Sequence, residues 1–248
     1  MELAEYANVA AVEDHHWWFR STRRLIRQML GAWIRPGIRV LDAGCGPGGN
    51  GARFLDQAEV VGIDLEFAAT EFVRDKHSPM RPVQGSLTGL PFPDASFDVI
   101  IVVTVLYHVP DDLLAMRELA RVLAPGGAIF VVEPALELFR RAHDAQGHGV
   151  RRYSRDQLAE AIASTGLAVQ RATYAKSFLA PPAAVLGALQ RIRPVAAEDA
   201  RSDLAPRVSD RITFPIFDRL AAIEDHRLVR GEDVPFGTSA IVVASKPA

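Results

Sequence analysis

Two carboxylates that end apolar segments are the residues of this chain best suited to hold a ligand. Asp42 ends the run V-L-D, and Asp64 ends the run V-V-G-I-D. The turn that follows Asp42 has glycines at four positions: Gly44, Gly46, Gly48 and Gly49. Without Cβ atoms there, backbone N–H groups can approach a ligand closely. A nucleotide-like cofactor needs such a turn for its chain and a carboxylate for its ribose hydroxyls.

The turn lacks the spacing of a dinucleotide site. Its sequence is G-C-G-P-G-G rather than G-x-G-x-x-G, and Asp42 would repel a pyrophosphate but attract a cationic ligand. A carboxylate at the end of a buried strand is costly unless it finds donors, which favours an ammonium or N–H partner for Asp42. A nicotinamide-dependent reductase is therefore the weaker alternative.

Apolar and amphipathic segments alternate along the chain, which is typical of a parallel sheet with helices on both faces. Strands are predicted at 39–42, 60–64, 82–84, 99–103, 128–132, 167–172 and 238–245, and helices at 21–33, 111–123, 181–191 and 216–229. The spacing from Asp42 to Asp64 leaves room for about one helix and one strand. Both carboxylates should then lie at the carboxyl edge of neighbouring strands, where open α/β sheets bind ligands.

Composition bounds the class of protein. With 248 residues, 49% hydrophobic and 23% charged, the chain is an ordinary globular one, most simply a single domain. A net charge of −2 gives no basic field for nucleic acid. Cys45 is the single cysteine, which excludes an internal disulfide and a cysteine metal cluster. We expect no metal, no signal peptide, no membrane insertion and a cytoplasmic location.

Several motifs, in order, resemble those of the class I S-adenosylmethionine-dependent methyltransferases. V-L-D-A-G-C-G-P-G-G is similar to their motif I and V-V-G-I-D-L to their second strand, followed by G-S-L-T-G-L-P-F-P-D-A-S-F-D-V-I, L-Y-H-V and R-V-L-A-P-G-G. The segments H-H-W-W-F-R-S-T-R-R, H-D-A-Q-G-H-G-V-R-R-Y-S and P-F-G-T-S resemble a bacterial, type 11-like subgroup. The resemblance implies an α/β, Rossmann-like seven-stranded sheet, mostly parallel with an antiparallel edge strand, and helices on both faces.

The resemblance covers nearly the whole chain and implies one methyltransferase domain, residues 1–248. Residues 1–35 would form an N-terminal helical lid and residues 36–173 the cofactor-binding core. Residues 174–236 would form an insertion that serves as a lid or an interface, and residues 237–248 the last strand. The protein would be a monomer or a homodimer.

The cofactor implied by the resemblance is S-adenosylmethionine. Asp42 would contact its methionyl ammonium, to which Val103 would lend a carbonyl, and Asp64 would accept both ribose hydroxyls. Arg23 or Arg24 would pair with the methionyl carboxylate, since an arginine fork suits a carboxylate. The predicted cofactor-binding residues are Asp42, Gly44, Gly46, Asp64, Leu65, Ser86, Leu87, Val103 and Arg23.

The acid that usually binds adenine in this family is absent, because Ser86 follows the glycine where G-D-A-x-x-L-P-F has Asp. A hydroxyl can still accept from the adenine amino group, through a weaker neutral hydrogen bond. Leu87 would supply a backbone N–H and one apolar face to the ring, and Leu65 the other face. Alternatively, either leucine is a plain core residue.

Methyl transfer chiefly requires positioning, with the acceptor atom about 3 Å from the methyl carbon of an already activated sulfonium. A hydroxyl or carboxylate acceptor also benefits from a base, and histidine is suited to that role. We expect the acceptor site after the fifth strand, with His148 as base and Asp144 as its orienting partner. Alternatively, these residues only hold a loop closed over the cofactor.

The predicted substrate-binding residues are Trp18, His108, Arg152 and Tyr153. Trp18 belongs to an aromatic cluster that either forms a lid or packs the N-terminal helix on the sheet. For His108, a structural role is the favoured alternative to substrate binding. Arg152 and its neighbour Arg151 indicate an acceptor with a carboxylate or phosphate, or else they pair with acids such as Asp144 or Glu133. The sequence thus predicts a methyltransferase acting on a small molecule or biosynthetic intermediate, with oxygen as the first choice of acceptor atom. Nitrogen or carbon methylation and a non-catalytic S-adenosylmethionine-binding protein are the alternatives.

Overall fold

The protein is described by a computed structural model that covers residues 3–140, 149–192 and 210–248. Its strands are β1 Ile38–Ala43, β2 Ala58–Asp64, β3 Arg81–Gln84, β4 Phe97–Val103, β5 Leu123–Pro134, β6 Ala168–Ala175 and β7 Ser239–Ser245. They form one seven-stranded sheet in the order β3-β2-β1-β4-β5-β7-β6. Strands β1 to β5 pair in parallel, whereas β7 lies antiparallel between β5 and β6. The predicted Rossmann-like class is confirmed, with β7 one place inside the edge strand β6.

Both faces of the sheet are buried, which explains the continuous apolar character of its strands. Neighbouring residues of a strand point to opposite faces, and they belong to different core clusters. Leu41 and Ile100 pack in one cluster, and Val40 and Ile101 pack in the other.

The helices of the described residues are α1 Leu3–Val12, α2 Trp17–Met29, α3 Phe67–Lys76, α4 Asp112–Val122, α5 Arg155–Ala163, α6 Ala180–Ile192 and α7 Asp210–Val229. Helix α2 begins earlier than predicted, because the ring of His16 accepts the N–H of Trp18 at 3.2 Å and caps it. Asp111 caps α4 in the same way through the N–H of Leu114. None of the helices in the described ranges is long and apolar enough to cross a membrane.

Two predicted elements differ from the structure. The helix expected between β1 and β2 is only a short 3-10 turn, Gly51–Phe54, since the glycine-rich segment before it has poor helix propensity. The fifth strand, predicted at 128–132, begins earlier, at Leu123, so that residues 125–127 belong to it. Gly126 there has φ +75°, which glycine adopts easily.

Candidate functional site

Asp42 lies in β1 at the carboxyl edge of the sheet and is buried. It is paired in register with Gly62 of β2, so Asp64 is two residues further along the neighbouring strand. One oxygen of Asp42 accepts the N–H of Gly51 at 2.7 Å. Burial raises the pKa of Asp42 to about 7, and the nearby charges of Glu13 and Asp64 act in the same direction. A cationic ligand would bind best to the ionised form of Asp42, because only that form carries the opposite charge.

Asp64 is 8% exposed and accepts three hydrogen bonds. The backbone N–H groups of Gly46 and Glu66 donate at 2.9 and 3.1 Å, and the hydroxyl of Tyr6 donates at 2.9 Å. Asp64 is thus tied to the glycine turn on one side and to helix α1 on the other.

Two glycines of the turn are required for different reasons. At Gly44, φ is +71° and an added Cβ would lie 2.4 Å from Val105, so any side chain would clash with the segment after β4. At Gly46, φ is +51° and an added Cβ would have no atom within 4 Å among the described residues. The space beside Gly46 can receive a ligand that follows the turn.

Only one of the two candidate arginines lies against the turn. An added Cβ at Gly49 would be 2.2 Å from a guanidinium nitrogen of Arg23, whereas Arg24 pairs with Asp218 and Asp225 of α7. Arg23 is 8% exposed and pairs with Glu13 at 3.3 Å. Its Nε is buried and has no hydrogen-bond partner within the described part of the chain.

The residues expected around the adenine ring differ in exposure. Leu65 is 65% exposed at the end of β2, whereas Leu87 is 6% exposed and packs in the core. The hydroxyl of Ser86 lies 2.8 Å from that of Thr88 and accepts the Thr88 N–H at 3.2 Å. Leu65 is therefore free to cover a ring, and the side chain of Leu87 is a core residue.

The end of β4 is held in a constrained conformation. Thr104 has φ +53°, which is uncommon for a β-branched residue. Its hydroxyl donates to the carbonyl of Val103 at 2.8 Å. The carbonyl predicted to meet the ammonium therefore already accepts one hydrogen bond and has a second lone pair for another donor.

Glu133, at the carboxyl end of β5, organises the segment after Thr104. Its carboxylate is fully buried and accepts the N–H groups of Val105, Leu106 and Tyr107 at 3.1, 2.8 and 3.2 Å. Burial raises the pKa of Glu133 to about 8, and the three N–H groups oppose that shift. The sequence offered a signal for this role, since a lone acid ends an apolar strand here as at Asp42.

The predicted catalytic pair, His148 and Asp144, lies outside the described residues. The chain just beyond it does lie near the segment held by Glu133, because the N–H of Val150 donates to the carbonyl of Tyr107 at 2.9 Å. The ring of His108 packs on that of Tyr107, with centroids 3.7 Å apart.

The other predicted substrate-binding residues make contacts within the protein. The Tyr153 hydroxyl donates to Asp112 at 2.6 Å, and Arg151 pairs with the same carboxylate rather than with Glu133. Arg152 donates from its guanidinium to the carbonyl of Ala135 at 3.0 Å.

Trp18 is half-buried and packs edge-to-face on Phe19, with centroids 5.1 Å apart. Its neighbour Trp17 packs on Phe178 and Phe217, at centroid distances of 5.7 and 5.4 Å. The aromatic cluster near the start of the chain therefore joins α2 to the 174–236 segment.

The residues present suit a ligand with a cationic amino acid end and a ribose. Asp42 offers a buried carboxylate, and the unpartnered Nε of Arg23 offers a donor beside the glycine turn. Asn50 adds a buried Oδ1 without a hydrogen-bond partner in the described residues. Unpaired buried polar atoms are uncommon in folded proteins and often mark a missing ligand or water. This donor and acceptor set fits S-adenosylmethionine.

Comparisons with known proteins identify the family. Residues 41–131 match the family described as methyltransferase domain. A Mycolicibacterium smegmatis protein named "Probable S-adenosylmethionine-dependent methyltransferase" is 31% identical over 173 residues, which cover 68% of this chain and 66% of that protein. The chain carries a class I S-adenosylmethionine-dependent methyltransferase domain. S-adenosylmethionine is the methyl donor of this family, so the predicted family and cofactor are confirmed.

One further relative matches part of the chain in sequence, and one solved structure matches its fold. A demethylmenaquinone methyltransferase of Staphylococcus aureus is 33% identical over 147 residues, which cover 55% of this chain and 58% of that protein. The match thus spans less than two thirds of the length of these curated relatives. A structure of a methyltransferase in complex with the Haloferax volcanii activator Trm112 has a TM-score of 0.63 at 23% identity, covering 99% and 95% of the two chains. That likeness supports the fold of the methyltransferase domain.

Proposed function

We propose that the protein transfers the methyl group of S-adenosylmethionine to a small-molecule acceptor, with an oxygen atom as the first choice. The observation that carries the proposal is the pair of buried carboxylates, Asp42 and Asp64, on either side of a glycine turn that Arg23 covers. When bound, the cofactor supplies a methyl group on an activated sulfonium.

In this proposal the chain's own residues mainly bind and orient. Ionised Asp42 faces the ammonium, Asp64 accepts from the ribose hydroxyls, and Arg23 donates to the methionyl carboxylate. Leu65 covers the adenine ring, whose amino group donates to Ser86. The buried setting strengthens these charge interactions relative to water.

For the acceptor, we propose His148 as general base with Asp144 orienting it. The bond from Val150 to Tyr107 supports this, because it brings the chain two residues beyond His148 to the segment held by Glu133. A base of this kind contributes roughly 10²-fold or more to the rate. A His148→Gln variant that retains the full kcat with the identified acceptor would remove His148 from this role.

The proposal also covers the acceptor atom, the class of acceptor and the oligomeric state. Nitrogen or carbon methylation is the alternative for this site, and a non-catalytic binding protein is the alternative from another class. Because one relative is named for demethylmenaquinone, a quinone belongs among the acceptors tested. We propose a cytoplasmic protein, monomeric or homodimeric, with no nucleic acid substrate. RNA therefore serves as the negative control among the acceptors tested.

The test measures cofactor binding first and turnover second. Titration calorimetry with S-adenosylhomocysteine should show binding, NADH should show none, and Asp64→Ala should weaken binding by about 100-fold. Asp156→Ala, which removes an exposed acid of α5, is the matched control. Release of S-adenosylhomocysteine in the presence of cell extract then tests catalysis. Absence of binding would refute the proposal, and binding without turnover would favour the non-catalytic alternative.

A further inference from the structure

The carboxylate that the proposed function assigns to the ribose is already bonded to helix α1. The hydroxyl of Tyr6 donates to one oxygen of Asp64 at 2.9 Å, across 58 residues of sequence. Tyr6 is 4% exposed and Asp64 is 8% exposed, so the helix covers this carboxylate. Tyr6 thus occupies one acceptor position of Asp64.

The hydrogen-bonding capacity of Asp64 makes the two partners incompatible. A carboxylate has about four lone-pair sites, and Tyr6, Gly46 and Glu66 already use three of them. The two hydroxyls of a ribose would require two more. Because the N–H groups of Gly46 and Glu66 belong to the backbone next to the site, the hydroxyl of Tyr6 is the donor that can leave.

Tyr6 remains a donor throughout the neutral range. Burial raises the pKa of its hydroxyl far above the usual value, and the charge of Asp64 raises it further. Its bond to Asp64 is therefore charge-assisted and stronger than a neutral one.

The opposite end of α1 is anchored independently of Tyr6. Glu13, just beyond the helix, pairs with Lys76 at 2.8 Å and with Arg23 at 3.3 Å, and Lys76 also donates to the carbonyl of Ala10 at 3.0 Å. A helix of 10 residues is marginal without its packing. The end that carries Tyr6 can thus move away while Glu13 holds the other end.

We propose that Tyr6 is an internal competitor for the ribose-binding carboxylate, so that α1 covers Asp64 before the cofactor binds and releases it when the ribose diol arrives. The inference rests on the proposed function, because it takes Asp64 as the ribose acceptor. Cofactor affinity then includes the cost of breaking the bond between Tyr6 and Asp64.

The test compares Tyr6→Phe with wild type by calorimetry using S-adenosylhomocysteine. The ring still packs, but the competing hydroxyl is gone, so we expect binding about three- to tenfold tighter. Tyr174→Phe is the matched control, since Tyr174 is 7% exposed and its hydroxyl bonds to the N–H of Arg155 instead. Unchanged or weaker binding by Tyr6→Phe would overturn the inference.

Amide hydrogen exchange gives a second readout. Residues 3–12 should exchange faster in the wild type once S-adenosylhomocysteine is bound, and slower exchange there would contradict the release of α1. The two proposals fail differently. If the wild type binds no S-adenosylhomocysteine, the proposed function falls and the inference with it. If it binds but Tyr6→Phe gains nothing, only the inference falls.

Discussion

The carboxyl edge of the sheet has two halves that are built in different ways. The cofactor half, at the ends of β1 to β3, is where we propose that S-adenosylmethionine binds, and the acceptor half, at the ends of β4 to β6, is where we propose that the acceptor binds. In the cofactor half, Asp42 and Asp64 accept backbone N–H groups only 2 to 18 residues away, at Glu66, Gly51 and Gly46. In the acceptor half, the carboxylate of Glu133 holds amides 26 to 28 residues away. Short-range contacts of the first kind coincide with a recognisable sequence motif, whereas the sequence marks Glu133 as a strand-end acid without identifying its distant partners.

Side chains from distant parts of the chain complete the acceptor half. Lys176, at the end of β6, is buried and donates to the hydroxyl of Ser21 in α2 at 2.8 Å. Ser21 in turn donates to Asp225 of α7 at 2.9 Å. Burial lowers the pKa of Lys176, and the charges of Asp225 and Glu224 oppose that shift. Helices α2 and α7 are thereby joined to the sheet edge, which makes this half depend on the 174–236 segment.

The largest expected effect tests whether the acceptor half depends on Glu133. Glu133→Ala leaves the N–H groups of Val105, Leu106 and Tyr107 without their acceptor, each worth roughly 1–3 kcal/mol, so the free energy of unfolding should fall by about 4 kcal/mol. Asp42→Asn is the comparison in the cofactor half, because an amide oxygen can still accept the single N–H of Gly51. That variant should lose no more than about 1 kcal/mol. Urea unfolding measures both, and equal losses would remove the distinction between the halves.

The same difference in range decides how far the sequence could be interpreted. Asp42, Asp64 and the glycine turn were predictable because their partners are local. The choice between Arg23 and Arg24 was not predictable, because it depends on the pairing of Arg23 with Glu13 and of Arg24 with the distant Asp225. The bond from Tyr6 to Asp64 gives no local signal either.

The fold was predictable for a related reason. Strands buried on both faces read as continuous apolar runs, and β1, β2 and β4 were found where those runs lie. The short 3-10 turn after the glycine turn was not predictable, because the length of this connection allows a helix that its composition does not support.

Two leucines sharpen the comparison within the cofactor half. Leu87→Ala removes a core side chain and should lower the free energy of unfolding by about 3 kcal/mol. Leu65→Ala removes a side chain that is 65% exposed, and it should change stability by less than about 0.5 kcal/mol. If Leu65 covers the adenine ring, that variant should instead weaken S-adenosylhomocysteine binding about fivefold. Unfolding and calorimetric titrations on both variants test the assignment, which fails if Leu65→Ala binds as wild type does.

The charge of Asp42 predicts a pH dependence of binding. Because its pKa is raised to about 7, its contribution to folding stability is present below the unfolded pKa and is lost as pH rises through 7. A ligand ammonium prefers the ionised form, so the affinity for S-adenosylhomocysteine should rise about tenfold from pH 6 to pH 8. Methylthioadenosine, which lacks the amino acid end, should show no such rise, and Asp42→Asn should abolish it. A flat profile in the wild type would separate Asp42 from the ammonium.

The smallest expected effect concerns the adenine end, where Ser86 stands in place of an acid. Asp at this position can accept the N–H of Thr88 as the serine hydroxyl does, because Asp and Ser make the same kind of turn. Ser86→Asp should therefore fold normally and bind S-adenosylhomocysteine about threefold more tightly, since a hydrogen bond to a charged acceptor is stronger. The gain should vanish with S-inosylhomocysteine, which lacks the amino group. An equal gain with both ligands would mean that the new charge acts on the pocket as a whole. Residue 86 would then not contact the adenine amino group, and the local contacts of the cofactor half would not extend to it.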